Sequence, residues 1–457
     1  MGLSKMFEPF INQRPICVMA RATLERLLDA GRIDDLFERV AERQYTRELL
    51  FSSLVELMSE VVLGWQPSVH AAYQSNVGEI GVSTTALYNK LDRVETALSA
   101  ELVRDSFRQA EPLIRTLRAS QPRWLAGYHV KVLDGNHLSA TEHRLEELRS
   151  TWAAPLPGKA LVVLDQQWML IRDVFLTEDG HAQERRLLDD VLETIESRDL
   201  WIADRNFCTQ GFLCGIAARR GYFLIRQHGQ LQGRLVGKRK RVGTTETGVV
   251  FEQKMLIEDP ETGKDLAIRR ITIELFEESR DGDTEIHLLS NVPAKKARAT
   301  QLADLYRKRW TIEAAFLEIT TTLTCEIKTL AYPKAALFTF CLALLVYNAV
   351  SVIKAALRRE HGREHVNHSV SGYYLCLEIR QTYDGMMVAI PAPHWKVYSE
   401  MSVQEFAAFL RDVAGRVKLS RYKKHSRGPK KPTPKKTKYK NGGHVSTAKL
   451  IATRKPC

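Results

Sequence analysis

His129-Val-Lys-Val-Leu-Asp134, Ala160-Leu-Val-Val-Leu164, Trp168-Met-Leu-Ile-Arg-Asp-Val-Phe175, Leu200-Trp-Ile-Ala-Asp204 and Tyr222-Phe-Leu-Ile-Arg226 are short apolar runs with polar or glycine-bearing flanks. Runs of this length and composition predict strands, and the second and third predict a hairpin that turns at Asp165-Gln-Gln. Between the later runs the spacing predicts two helices, one of alternating Arg, Glu and Leu over 182–195 and one from about Thr209 to Arg219. Three strands followed by helix, strand, helix, strand predict a mixed α/β sheet.

That order of elements is ribonuclease-H-like, and the rest of the chain arranges itself around it. Residues 1–120 repeat apolar side chains at three- and four-residue intervals (Leu24, Leu27, Leu28; Leu49, Leu50, Leu54, Leu57) and predict an all-helical N-terminal domain. The core then divides into a first part at 121–228, a β-rich insertion at 229–292 with alternating segments such as Ala267-Ile-Arg-Arg-Ile-Thr-Ile-Glu-Leu275, and a second part at 293–370. Long helices are expected over 299–322 and 334–359, a helical C-terminal region over 371–417, and a basic disordered tail over 418–457. The tail has lysines, arginines and prolines with almost nothing to bury.

Charge supports this division. The 457 residues carry a formal net charge of +13, with hydrophobic residues at 44% and charged residues at 26%, which excludes a fibrous, low-complexity or wholly disordered chain. Residues 418–457 hold 14 Lys or Arg and no acid, so everything before them sums to about −1. Unpaired basic charge of this kind favours salt-sensitive attachment to DNA phosphates, the alternative being a solvated terminus. The 7 cysteines form no CxxC pair and predict neither a zinc site nor a disulfide framework, which suits a reducing cytoplasm. The N-terminal residues show no secretory pattern. Ala335–Ile353 approaches the length of a membrane span, but Thr339, Tyr347, Asn348 and Ser351 interrupt it, so a buried core helix and no membrane partner are expected.

Asp134 and Asp204 each close an apolar run and lead into polar residues, Gly135-Asn136 and Arg205-Asn206. A strand-end carboxylate normally caps a turn or faces a ligand in the crevice beyond the sheet, and the two strands of the expected sheet can present both residues to one crevice. Behind the insertion, Tyr306, Arg309 and Glu313 recur at spacings that put them on one face of a helix. An exposed Arg–Glu pair without chemical role is the plain alternative. In the N-terminal region, Gly81-Val-Ser-Thr-Thr-Ala-Leu-Tyr-Asn-Lys-Leu91 predicts a short helix capped by Ser83. Its small polar start resembles a helix-turn-helix recognition helix in which Ser83, Thr84, Thr85, Asn89 and Lys90 meet DNA, and an ordinary capped surface helix accounts for it equally well.

Asp134, then Asp204 in an Asp-x-x-Phe turn, then Tyr-x2-Arg-x3-Glu at Tyr306, Arg309 and Glu313 resembles the DDE transposases of the insertion-sequence-four type, over roughly residues 20–370. The resemblance implies a ribonuclease-H-like catalytic domain, with Asp134, Asp204 and Glu313 as the catalytic metal-binding triad and Tyr306 and Arg309 as contacts to DNA phosphates. It implies metal-dependent cleavage at transposon ends and strand transfer into target DNA. The implied partners are terminal inverted repeats, target duplex and a second copy of the chain in a synaptic complex, in the bacterial cytoplasm at the nucleoid. In-line phosphodiester chemistry is served by two divalent ions about 3.5–4 Å apart, and oxygen ligands suit two Mg²⁺ ions, with Mn²⁺ able to substitute. The family signature ends with Lys seven residues after the Glu, where this chain has Thr320. No Trp lies between Trp201 and Trp310 to stabilise a flipped base, so a hairpin step is not implied. A transposase-derived protein that binds DNA without cutting it, and a nuclease of the same fold without strand transfer, are the alternatives. Asp165 and His137 are expected to cap turns, Glu318 to be solvated, and Cys208 and Cys214 to fill core.

Overall fold

A computed structural model describes residues 6–43, 48–78, 80–279, 282–424 and 443–453. Its strands are β1 (His129–His137), β2 (Ala154–Leu156), β3 (Lys159–Asp165), β4 (Leu170–Thr177), β5 (Asp199–Ala203), β6 (Tyr222–Arg226), β7 (Arg234–Thr244), β8 (Gly248–Glu258), β9 (Asp265–Leu275), β10 (Glu285–Ser290) and β11 (His444–Ser446). All but β2 and β11 form one sheet in the order β4-β3-β1-β5-β6-β10-β9-β8-β7. β1, β5 and β6 run parallel, while β3 is antiparallel to both β1 and β4, so the expected ribonuclease-H-like mixed sheet is present.

The sheet is covered on both faces, which explains its nearly continuous apolar strands. Leu133, Val163, Trp201, Phe223 and Ile225 pack on one side against Val191, Phe212, Leu213 and Ile216 from the helices Leu188–Glu193 and Gln210–Ala218. The helix expected over 182–195 is thus shorter, because its first turn, Glu184–Leu187, is 3₁₀. On the other side Val130, Leu200, Ile202 and Leu224 meet Leu302 and Leu305, and Val132, Val162 and Leu164 meet the helical body.

The β-rich stretch at 229–292 is not an appendage. Leu288, Leu289 and Ser290 of β10 pair antiparallel with Arg226, Ile225 and Leu224 of β6, so the insertion lengthens the central sheet. An unpaired β6 edge would leave backbone donors and acceptors unmatched beside the fully buried Leu288 and Leu289. The new outer edge, β7, reads Arg-Leu-Val-Gly-Lys-Arg-Lys-Arg-Val-Gly-Thr and is broken by register shifts, the charge and irregularity that discourage edge-to-edge pairing.

Three further expectations are corrected. The N-terminal helices are not a separate domain: Pro15–Leu27, Phe51–Val62 and Thr96–Thr116 share one core with Pro333–His361 and Val403–Gly415. Pro333–His361 has a window with mean hydropathy 2.2, long and apolar enough for a membrane, yet that window is wholly buried in this helical body. The helix expected over 299–322 is two helices, Ala299–Arg307 and Trp310–Thr322. The amides of Lys308, Arg309, Thr311 and Ile312 each bond three residues back, a tightened stretch that breaks the α-helical ladder. Finally, the tail is structured where it is described: Tyr422 is buried, β11 pairs in parallel with β2, and Thr447–Ala452 is helical. Ser446 and Thr447 are buried and Lys449 pairs with Asp179 at 3.0 Å, so this part of the tail has contacts its composition does not reveal. The Lys- and Pro-rich centre, 425–442, lies outside the described residues.

The helical body is fastened to the sheet by Asn348. Its side chain is fully buried, accepts from the Ile171 amide at 2.7 Å and donates to the Ile171 carbonyl at 2.9 Å and Ser106 Oγ at 2.8 Å. Ile171 lies on β4, the sheet's other edge, so Asn348 stands in for a missing neighbouring strand. Asn348→Ala strands both backbone groups and is expected to destabilise the protein by about 2–4 kcal/mol. Urea unfolding should show a lower midpoint with an unchanged slope.

Candidate active site

Leu133 of β1 pairs with Ala203, the last residue of β5. The next residue on each strand is the aspartate, so Asp134 and Asp204 stand side by side where β5 ends, on parallel strands that are spaced about 4.8 Å apart. Contrary to the expected turn, Asp134 lies within a strand: β1 continues to His137 and Asp134 pairs with Val162 of β3. Only its β5 side is open. Asp134 Oδ1 accepts from the Gly135 amide at 3.0 Å, and Asp204 Oδ1 accepts from the Arg205 amide at 2.6 Å, capping the turn Arg205–Phe207.

Arg309, 8% exposed, enters from the break between the two helices over the sheet. Its Nη1 donates to Asp134 Oδ2 at 3.1 Å and its Nη2 to Glu313 Oε1 at 2.8 Å. Burial works against the guanidinium charge, but Tyr306, Asp134, Asp204 and Glu313 together outweigh it and raise its pKa above the usual arginine value. Burial pushes the Asp134 carboxyl up to about 6; Arg309 and the Gly135 amide oppose this, and Glu313 and Asp204 add to it. Burial likewise raises the Tyr306 phenol, whose charged neighbours are Arg309, Asp204 and Arg226. The structure therefore brings Asp134, Asp204, Tyr306, Arg309 and Glu313 to one place, although the last three span two helices rather than sharing one face. The broken helix matters here, because it lets Arg309 turn inward toward both carboxylates.

Among the described residues no three His, Cys, Asp or Glu side chains stand close enough together to hold one metal ion. The Arg309 fork lies between Asp134 and Glu313 and supplies the positive charge that the carboxylates share.

Sequence reasoning missed Glu184. It is buried beneath β1, its Oε2 accepts from Asn206 Nδ2, and its Oε1 lies 3.4 Å from His137 Nδ1. A Cβ on Gly135 would approach Glu184 Oε1 to 2.5 Å, so the glycine leaves room for the carboxylate to pass under the strand and a side chain there would displace it. Glu184 thereby links the segment after Asp134 to the turn after Asp204. The available signal was Asn206, a polar residue two positions past a strand-end aspartate. His137 is exposed and faces Glu184 rather than capping a turn. Asp165 caps the β3–β4 hairpin through the Gln167 and Trp168 amides. Thr320 is exposed and returns its hydroxyl to Phe316 O at 3.0 Å; the Glu318 side chain lies outside what is described. Cys208 and Cys214 are buried in the core.

The N-terminal group is separate from this site. Ser83 caps Thr84–Leu91 by accepting from the Ala86 amide at 3.2 Å; Thr85 and Asn89 are exposed, and Thr84 is half-buried. Lys90 turns inward instead: its Nζ donates to Leu49 O and lies 5.2 Å from the Phe37 ring centroid, which corrects its expected role at a DNA surface. The connection from Val69–Ser75 to Thr84 is also longer than the usual three- or four-residue turn of a helix-turn-helix.

Residues 126–349 match the family model described as the transposase DDE domain. The matched stretch contains Asp134, Asp204 and Glu313. Among solved structures, a cryo-EM structure of a piggyBac transposase synaptic complex with hairpin DNA is similar at 11% identity and TM-score 0.40, over 89% of this chain and 87% of that one. No curated protein matches the chain significantly.

A carboxyl whose folded value lies near 6 against an ordinary 3.8 is disfavoured as the anion in the folded state. The penalty is present above pH 6 and fades as the pH falls toward 4, so stability from this group falls as the pH rises through that window. In EDTA, Asp134→Asn is expected to be more stable than the parent by about 1–3 kcal/mol at pH 8, with the gain shrinking toward pH 4. Urea midpoints across that range test it; a variant with no gain at pH 8 refutes the assignment.

Proposed function

We propose that the protein is a DNA transposase of the insertion-sequence-four type, cutting at the ends of its element and joining them to target DNA. The observation that carries this reading is the matched register of Asp134 and Asp204 at the open end of β5, with Glu313 tied to the same point through Arg309. Three carboxylates from two strands and a helix, gathered around a single buried guanidinium, make a donor set that fits divalent cations once Arg309 releases Asp134 and Glu313. Asp134, Asp204 and Glu313 would hold the ions. When bound, two Mg²⁺, or Mn²⁺ in their place, activate the attacking water or 3′-hydroxyl and stabilise the leaving oxygen.

The chain's own groups do the rest. Arg309, freed from its carboxylates, offers a planar fork to phosphate oxygens beside the cleaved bond. Tyr306 stays protonated and donates its hydroxyl to the same backbone. Arg226, which pairs with Asp283 at 2.7 Å, and exposed Arg205 extend the positive rim. Thr320 leaves the signature's last cationic position vacant, so these arginines carry the corresponding phosphate contacts. The proposed partners are terminal inverted repeats, target duplex and a second copy of the chain, with the bacterial nucleoid as the place of action.

With duplexes bearing the repeats that flank the coding sequence, the protein should nick DNA in Mg²⁺ or Mn²⁺. Asp204→Asn and Glu313→Gln should each lower the rate by about a thousandfold or more, roughly 4 kcal/mol of barrier, while DNA affinity changes little. Binding without metal-dependent cleavage by the parent protein would identify a DNA-binding relative instead. Cleavage without joined products would identify a nuclease.

A further inference from the structure

On the side of Trp310–Thr322 away from Glu313 lies a cavity of about 520 Å³, lined in part by Arg123, Lys308, Lys354, Arg358 and Lys424 and, among the described residues, by no Asp or Glu. Arg358 decides its character. It is 7% exposed, and its Nε and Nη2 have no hydrogen-bond partner. Buried guanidinium groups are ordinarily paired, because an uncompensated buried charge costs several kcal/mol. Burial lowers the Arg358 pKa to about 10, with Tyr347 opposing and Arg363 adding to the fall, so the group remains a cation at neutral pH. Tyr347, Ser351, Lys354 and Arg358 recur at spacings of four, three and four on Pro333–His361, forming a polar stripe that faces this cavity from an otherwise apolar core helix.

We propose that this cavity is a binding site for a phosphate-bearing ligand, with the unpaired Arg358 fork as its anchor and Lys354 beside it. A carboxylate would bring a single negative charge to a cavity lined by several cations. A terminal phosphate brings about two negative charges and three acceptor oxygens, successive phosphodiesters of a DNA strand bring one charge and two free oxygens each, and a guanidinium donates to a pair of such oxygens in plane. The site is distinct from the carboxylate centre and does not depend on the chain cutting DNA. The phosphate has two possible sources: the backbone of a DNA strand that passes behind the catalytic helix, or a free polyphosphate or nucleotide.

The test uses the full chain, Arg358→Met and Lys354→Gln, titrated calorimetrically with inorganic tripolyphosphate and by fluorescence anisotropy with a random-sequence duplex over a range of salt. Methionine keeps most of the buried stem and removes the unpaired charge, so Arg358→Met should fold with an equal or higher unfolding midpoint. If the source is free phosphate, tripolyphosphate binds the parent and binds Arg358→Met at least about tenfold more weakly, with DNA affinity unchanged. If the source is DNA, both variants bind the duplex more weakly, and the slope of log affinity against log salt becomes shallower by about one. Lys354 is only partly buried, so Lys354→Gln carries the same test should Arg358→Met fail to fold. Parent-like affinity of both variants for both probes overturns the proposal, as does a loss of stability in Arg358→Met with no change in either titration.

Discussion

The contact between the Arg309 guanidinium and the carboxylates of Asp134 and Glu313 joins the sheet to the helices laid over it, and the candidate site has its shape because of that contact. A buried arginine needs anions, and buried carboxylates need a cation or a proton. Each side satisfies the other. The tightened turn at 308–312 makes this possible, since a continuous α-helix would carry Arg309 along its surface rather than into the crevice. In the proposed function this contact competes with a divalent cation, and exchange of one for the other would couple metal loading to the freeing of Arg309 for a phosphate.

The sheet supplies the other half of the geometry. Parallel β1 and β5 are in register up to Leu133 and Ala203, so adjacent aspartates emerge at one level by backbone hydrogen bonding alone. Beneath them Glu184, admitted by the missing side chain of Gly135, ties both strand ends together from the opposite face. The carboxylates are thereby held in a partly desolvated corner, where burial raises the Asp134 pKa and Glu313 and Asp204 add to the rise. Such a corner is costly to stability and suited to gripping charge.

Around this centre the molecule is more integrated than its linear order implies. The N-terminal helices, the core helix Pro333–His361 and the C-terminal Val403–Gly415 close one interior, and Asn348 ties that interior to the edge strand β4. Where the core helix leaves its apolar environment, Arg358 and Lys354 face a basic cavity on the far side of Trp310–Thr322. Positive charge is therefore built into the folded body as well as concentrated in the tail.

The five core strands, the β3–β4 hairpin and the place of Asp204 just past the end of β5 were determined by local composition, because short apolar runs between polar flanks have few other uses. The Tyr306, Arg309 and Glu313 spacing was legible too, although a strict helical period hid the break that turns Arg309 inward. The joining of β10 to β6, the inward turn of Lys90 and the return of His444–Ser446 to β2 were decided only in three dimensions. Glu184 belongs with them. Each depends on an open edge, a gap or an unpaired group contributed by a distant segment, and such complementarity between remote parts leaves no periodic trace in either one.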